Sequence, residues 1–257
     1  MEKVGKIGAL GLLFSLLIAY MFFEASTLSI SRFDFPFPNS SPIKIALLSD
    51  LHLHKMGPLE KKLRRTLREE KPDLILIAGD TLDSQRSLLV ARDLFGELKP
   101  RLGSLAAVGN WENWEHLDNP SLFQSFGATL LKNAIYKTTD GISVLSLDDL
   151  SGDPNLNLTQ LKPENNFCIA LIHSPIMFES VSDSCPLVLA GHTHGGQVRI
   201  PLLGPMWLPE GSGKYISGWY HRNNSKLYVS RGIGTSILPI RFLSSPELVL
   251  ISLKKQI

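Results

Sequence analysis

The sequence predicts an α/β domain of two packed β-sheets flanked by helices, preceded by one N-terminal membrane helix. Three observations lead there. Residues 43–108 alternate short apolar runs with amphipathic stretches, the pattern of a layered α/β domain. After Pro120 the chain is β-rich, with apolar runs separated by short turn-forming segments. Ahead of both lies residues 7–23, an apolar run without a charged side chain.

That run follows Lys3 and Lys6 and is closed by Glu24. As a helix it spans roughly 25 Å at about 1.5 Å per residue, the short end of what crosses a bilayer. It is longer than the usual signal-peptide core and no A-x-A cleavage site follows, so residues 1–25 are expected to be an uncleaved anchor. The first basic residue after the run is Arg32. The positive-inside bias therefore favours a cytoplasmic amino terminus and a domain on the far side. Residues 26–42 carry Pro36, Pro38 and Pro42 and read as a linker or edge segment.

One domain over residues 43–257 is expected. Residues 43–48 read as a strand and 58–70 as an amphipathic helix with proline in its first turn. A strand at 74–78, a helix at 86–98 and a strand at 105–108 follow. Residues 129–138 and 142–147 flank Thr139-Asp140-Gly141, and Asp-Gly between apolar runs marks a hairpin. Further strands are expected at 168–172, 187–190, 226–230 and 248–253, with a helix near 177–182.

The chain has 257 residues, 44% of them hydrophobic, and a formal net charge of +2. That length carries a full core. The near-balanced charge argues against nucleic acid as a partner, and the basic run Lys61-Lys62-Leu63-Arg64-Arg65 reads as a solvated helix face. Cys168 and Cys185 are the only cysteines. They make no disulfide framework and no zinc motif, and Cys168 reads as a buried thiol acting as a small hydrophobe.

Each apolar run ends in a polar cluster. Residues 43–48 lead into Ser49-Asp50-Leu51-His52, residues 74–78 into Gly79-Asp80-Thr81-Leu82-Asp83, and the third strand into Gly109-Asn110-Trp111-Glu112. Later strands end at His173 and at Gly191-His192-Thr193-His194. In α/β sheets ligands bind beyond the carboxyl ends of strands, so these clusters can converge on one crevice. Carboxylate, imidazole and amide oxygen together form a mixed nitrogen and oxygen shell suited to Mn²⁺, Fe or Zn²⁺.

The series D-x-H, G-D-x-x-D, G-N-x-E, a lone H and G-H-x-H, in that order over about residues 43–253, resembles the calcineurin-like metallophosphoesterases. Gly191–Gln197 as G-H-T-H-G-G-Q, Asp148-Asp149 after a strand, and residues 230–236 as S-R-G-I-G-T-S resemble a narrower branch, the bacterial YkuE/YaeI-like membrane-associated phosphodiesterases. The resemblance implies two divalent metal ions. Asp50, His52, Asp80 and His194 would hold one and Asp80, Asn110, His173 and His192 the other, with Asp80 bridging. It also implies catalytic roles for Asp80, Asn110 and His192. His54, His116 and His221 match no ligand position.

Trp111 departs from the pattern, since the family usually has histidine there to help stabilise the transition state or protonate the leaving group. An indole N–H is only a neutral donor. Three readings follow: a leaving group that is already a stable anion, a proton supplied by His116 or His54, or catalysis lost with the metal shell kept as a scaffold. The expected function is a membrane-associated metal-dependent phosphohydrolase cleaving a phosphodiester or diphosphate bond of a lipid-linked substrate such as UDP-2,3-diacylglucosamine. The alternatives are a general phosphodiesterase or phosphatase of the cell envelope and a catalytically silent scaffold.

Overall fold

The structure is a computed structural model and describes residues 2–39, 41–152, 161, 163 and 167–255. It has two six-stranded sheets. The first runs in the order β1-β14-β2-β3-β4-β5 and the second β12-β13-β9-β8-β7-β6. In the first sheet β2 (Ile43–Leu48), β3 (Leu74–Ala78), β4 (Ser104–Ala107) and β5 (Thr129–Leu131) are mutually parallel. Helices α2 (Pro58–Glu70) and α3 (Ser87–Phe95) supply the crossovers. In the second, β7 (Ile142–Ser146), β8 (Phe167–Leu171), β9 (Leu187–Ala190) and β13 (Ser225–Val229) are parallel, with β6 (Ala134–Lys137) and β12 (Gly218–Arg222) antiparallel at its edges. Strands buried on both faces read as unbroken apolar runs, which is how LILIA at β3 and LVLA at β9 read.

The two sheets face each other across a core that includes Ile45, Leu47, Leu76, Ile169, Leu189 and Ile251. A second apolar layer, with Leu63, Leu67, Leu94 and Phe123, lies under the helices of the first sheet. A third, with Phe178, Val181 and Tyr215, backs the other sheet. Each fully buried Leu or Ile contributes roughly 1.5–3 kcal/mol.

Three sequence expectations are corrected, and for residues 26–42 the structure selects between two. Residues 129–138 are not one strand: β5 belongs to the first sheet and β6 to the second, and the chain crosses at Asn133, whose φ is +49°. The expected helix at 177–182 is a 3-10 turn over Pro175–Met177 followed by a single short α-helical turn (Phe178–Val181). Within 26–42, Ser29–Pro36 is β1, an edge strand paired in parallel with β14 (Glu247–Lys254), so the edge reading holds there. Cys168 is not a free thiol: it forms a disulfide with Cys185, with Cα atoms 4.7 Å apart, joining β8 to the turn before β9.

The amino-terminal α1 (Glu2–Ala25) contains one stretch, Gly8–Ala25, long and apolar enough to cross a membrane, and most of its side chains from residue 8 onward are exposed. Its last turns nevertheless pack on the domain. The Tyr20 and Phe242 rings meet edge to face, and the Met21 carbonyl accepts the Arg241 N–H at 3.1 Å. The Glu24 carboxylate accepts the Leu243 and Ser244 N–H groups at 3.0 and 2.9 Å and the Ser245 hydroxyl at 3.0 Å.

Candidate active site

All seven ligand residues expected from the sequence lie within a few residues of the carboxyl ends of five central strands: β2, β3 and β4 of one sheet and β8 and β9 of the other. Five of them hold unusual backbone. Asp50, His52, Asp80, His192 and His194 have φ between +42° and +73°, a region non-glycine residues rarely enter. Such strain persists where surrounding contacts over-determine it, and it concentrates at functional sites. Here the bracing is visible. The 230–236 segment clamps the first turn, with the Ile233 and Gly234 N–H groups donating to the Ser49 and Asp50 carbonyls at 3.0 and 2.7 Å. Gly109 is required at its position, because a Cβ there would collide with the Asp80 carboxylate and backbone nitrogen.

The side chains form two neighbouring groups, Asp50/His52/His194 and Asp80/His173/His192, each with ligand atoms within 4.8 Å of one another and every member buried. In the first, His52 Nε2 lies 3.2 Å from His194 Nε2, and Asp50 Oδ1 lies 3.6 Å from His194 Nε2. In the second, His173 Nε2 lies 3.3 Å from Asp80 Oδ2 and 3.0 Å from His192 Nδ1. Asn110 joins the second group, its Oδ1 3.0 Å from His173 Nε2. Asp80 Oδ2 is also 3.7 Å from His52 Nε2, so one carboxylate faces both groups.

The donor set fits cations. His52 Nδ1 is bonded to Asp83 at 2.7 Å, His173 Nδ1 to the Ala78 carbonyl at 2.7 Å and His192 Nε2 to the Glu210 carbonyl at 2.5 Å. An acceptor takes the ring proton in each case, which turns the other nitrogen's lone pair inward. Metal-binding histidines are oriented in this way. Three inward nitrogens meeting carboxylate and amide oxygens are mutually unfavourable unless a proton or a metal cation lies among them.

The electrostatics agree. Burial opposes ionisation of Asp80, but the charge and hydrogen bond of His173, then His52, hold its carboxyl down at about 2. Burial likewise resists a charge on His173, yet Asp80, Asp50 and Asp149 raise it well above the ordinary imidazole range. Burial, His52 and Arg241 push His194 well below that range, leaving it neutral and available as a ligand. A metal cation held there would take the place of a proton that the cluster already favours.

Several supporting residues escaped the sequence reading. Glu112, the acid of G-N-x-E, accepts the N–H groups of Asp80, Gly109, Thr81 and Leu82 at 2.6–3.0 Å and so fixes the turn that carries Asp80. Burial and the Asp80 charge push its carboxyl up to about 7. Asp83, the second acid of G-D-x-x-D, holds His52 and also meets the exposed His54 at 2.9 Å. Arg241, fully buried, donates to the carbonyls of Gly234, Arg231 and Ser244 and faces His194 Nδ1 at 3.4 Å. The spacing of Glu112 and Asp83 within their motifs was a usable signal; nothing local marks Arg241.

The centre opens into a cavity of about 730 Å³. Asp80, Asn110, His192 and His194 line one part, and Trp111, Trp114, Leu150, Met206, Trp207 and Leu238 make much of the rest apolar. Trp111 is half-buried, its ring edge-to-face with His52 at 5.5 Å. Neither His54 nor His116 lines the cavity. Asp149 does, and although burial raises its carboxyl, His173 and hydrogen bonds from Ser174 and Ser151 hold it below the usual range, so it is a poor proton donor.

Two packed sheets with paired carboxylate–histidine groups at their strand ends define the class: a metallophosphoesterase. Comparison with known proteins narrows it. The calcineurin-like phosphoesterase family profile matches residues 43–196. The chain is 35% identical over 226 residues to the metallophosphoesterase YkuE of Bacillus subtilis, covering 82% of this chain and 79% of that one. It is 31% identical over 230 residues to the phosphodiesterase YaeI of Escherichia coli, covering 84% and 83%. A transmembrane protein with a metallophosphoesterase domain from Danio rerio is 33% identical over 246 residues, covering 83% of this chain and 53% of that protein. The chain belongs to the calcineurin-like phosphoesterase family. It is a hydrolase of phosphoric esters, and the family uses divalent metals.

Proposed function

We propose that the protein hydrolyses a phosphodiester or diphosphate bond of a lipid-linked substrate while anchored by α1 as a single-pass membrane protein. The observation that carries this reading is the cavity, in which a buried polar metal-ligand cluster adjoins tryptophan and aliphatic walls. A phosphoryl group matches the cluster, and apolar substituents match Trp111, Trp114, Leu150, Met206 and Trp207.

Asp50, His52, Asp80 and His194 are assigned to one ion and Asp80, Asn110, His173 and His192 to the other. Two divalent ions held there would supply Lewis-acid activation of water and neutralise charge on the phosphoryl oxygens. Asp80, facing both groups, would be the ligand they share. Asn110 and His192 border the cavity and orient the phosphoryl group for in-line attack. Trp111 excludes water and stacks against substrate without offering a titratable proton. The reaction this suits is one whose leaving group departs as a stable anion, such as a phosphate leaving a diphosphate.

The Cys168–Cys185 disulfide favours an oxidising compartment. It agrees with the orientation that Lys3 and Lys6 suggest, and the two together support a domain on the envelope side. UDP-2,3-diacylglucosamine requires a cytosolic domain, whereas a polyprenyl diphosphate is reachable from outside. The E. coli relative's name favours a second reading, a general phosphodiesterase of the envelope.

The test is hydrolysis by metal-loaded full-length protein in mixed micelles. It compares phosphomonoesters, aryl phosphodiesters, UDP-2,3-diacylglucosamine and polyprenyl diphosphates. Higher kcat/KM on a lipid-linked diester or diphosphate is expected. Equal turnover of water-soluble diesters with no gain from the lipid supports the general phosphodiesterase instead, and no hydrolysis at all supports the scaffold.

A further inference from the structure

We infer that the rim of the cavity is a bilayer-docking surface, in which Leu202, Leu203, Met206, Trp207, Ile237 and Leu238 insert into the interfacial layer of the membrane that α1 crosses. The inference rests on the reading of α1 as a membrane span.

Two loops form the rim. Residues 200–208 and 232–240 contain no charged side chain. In the first, β10 (Arg199–Ile200) and β11 (Gly204–Pro205) make a small hairpin whose tip is Pro201-Leu202-Leu203. Tips of this kind ordinarily carry Gly, Asn, Asp or Ser facing water. Here Leu202 is fully exposed, and its φ of +67° is unusual for a bulky residue. In the second loop Ile237, 85% exposed, has a φ of +61°. Trp207 is 65% exposed, and Leu203, Met206 and Leu238 are exposed as well. Apolar side chains gathered around a cavity mouth mark an interaction surface.

The occupant follows from where α1 leaves the domain. The Gln197 side chain donates to the Ser236 and Leu238 carbonyls at 3.0 Å, which ties the loops together. The Met206 N–H donates to the Val198 carbonyl at 3.0 Å, and Val198 bridges to Phe242. Phe242 is the residue that meets Tyr20 of α1, and Arg241 is the one bonded to Met21. Leu238 is three residues from Arg241, a reach of at most about 11 Å. The rim thus sits beside the last turns of an apolar helix, and a bilayer reached by that helix reaches the rim. Tryptophan and tyrosine favour the membrane–water interface, and interfacial apolar faces bury about 5–10 Å deep.

The test uses the full-length chain in phosphatidylcholine–phosphatidylglycerol vesicles whose acyl chains carry bromine at shallow or deep positions. Tryptophan emission of the wild type is compared with Trp207→Phe; the difference isolates Trp207 from Trp111, Trp114 and Trp219. The expected result is loss of the Trp207 share of emission, greatest with shallow bromines. Leu203→Asp, at an exposed tip where folding tolerates a charge, is expected to restore that emission. Flotation of the same samples separates the two readings. Protein that fails to float overturns both, and protein that floats with Trp207 unquenched overturns the docking surface alone.

Discussion

Trp111 bears directly on the chemistry proposed for this site. Its side chain lines the cavity, and its backbone N–H donates to Asp80 at 2.9 Å. With no titratable acid there, the rate on aryl phosphodiesters should depend steeply on leaving-group pKa. Trp111→His should then accelerate poor leaving groups by at most about 10²–10⁴-fold, the worth of a placed acid, while good ones change little. Parallel plots of rate against leaving-group pKa for the two proteins would contradict this. Glu112 makes a different prediction. Removing its carboxylate orphans four buried N–H donors, each at about 1–3 kcal/mol. A loss of only ~3 kcal/mol lowers the melting midpoint of a domain this size by roughly 6–12 °C. Glu112→Ala should therefore melt early and lose metal, and wild-type melting with full metal content counts against the assigned role. The seven candidate ligands that the structure gathers were legible in the sequence because each follows closely on an apolar strand. Arg241 and Glu24 were not, because each matters through partners distant in the chain, His194 for one and Leu243–Ser245 for the other.

At the scale of elements, α1 is braced against the site as well as joined to it. Glu24 holds the Leu243–Ser245 backbone, the Ser244 hydroxyl donates to the His194 carbonyl at 2.8 Å, and Arg241 sits between. Glu24→Ala should lower metal occupancy at the Asp50/His52/His194 group more than at Asp80/His173/His192. Glu24→Gln, keeping one of two acceptor oxygens, should fall between. Titration with a chromophoric Co²⁺ probe distinguishes the sites, and equal loss at both would contradict the coupling. The helix and parallel-strand periodicities were readable because each is local. β1 was obscured because its prolines suggest loop and its partner, β14, lies more than 200 residues away. The break between β5 and β6 had a signal in Lys132-Asn133, two polar residues inside an apolar run, with Asn tolerant of positive φ.

Across the whole molecule, the two sheets each bring part of a metal centre to one edge, and the amino-terminal helix leaves beside that edge. The sequence order of strand-end clusters was enough to expect the convergence, since ligand crevices form at the carboxyl ends of parallel strands. The disulfide was not legible, because two cysteines 17 residues apart say nothing of whether they meet in space. The apolar loop at 200–207 was visible in the sequence, but its exposure and its nearness to α1 depend on packing between distant segments. All of this depends on Asp80 serving two ions at once. The direct measurement is metal analysis with anomalous diffraction on metal-loaded wild type and Asp80→Asn. Two ions about 3.5–4 Å apart, flanking Asp80, are expected in the wild type, and most of both should be lost in the variant. Undiminished two-ion occupancy in Asp80→Asn, or ions held by side chains other than these seven, would contradict the account.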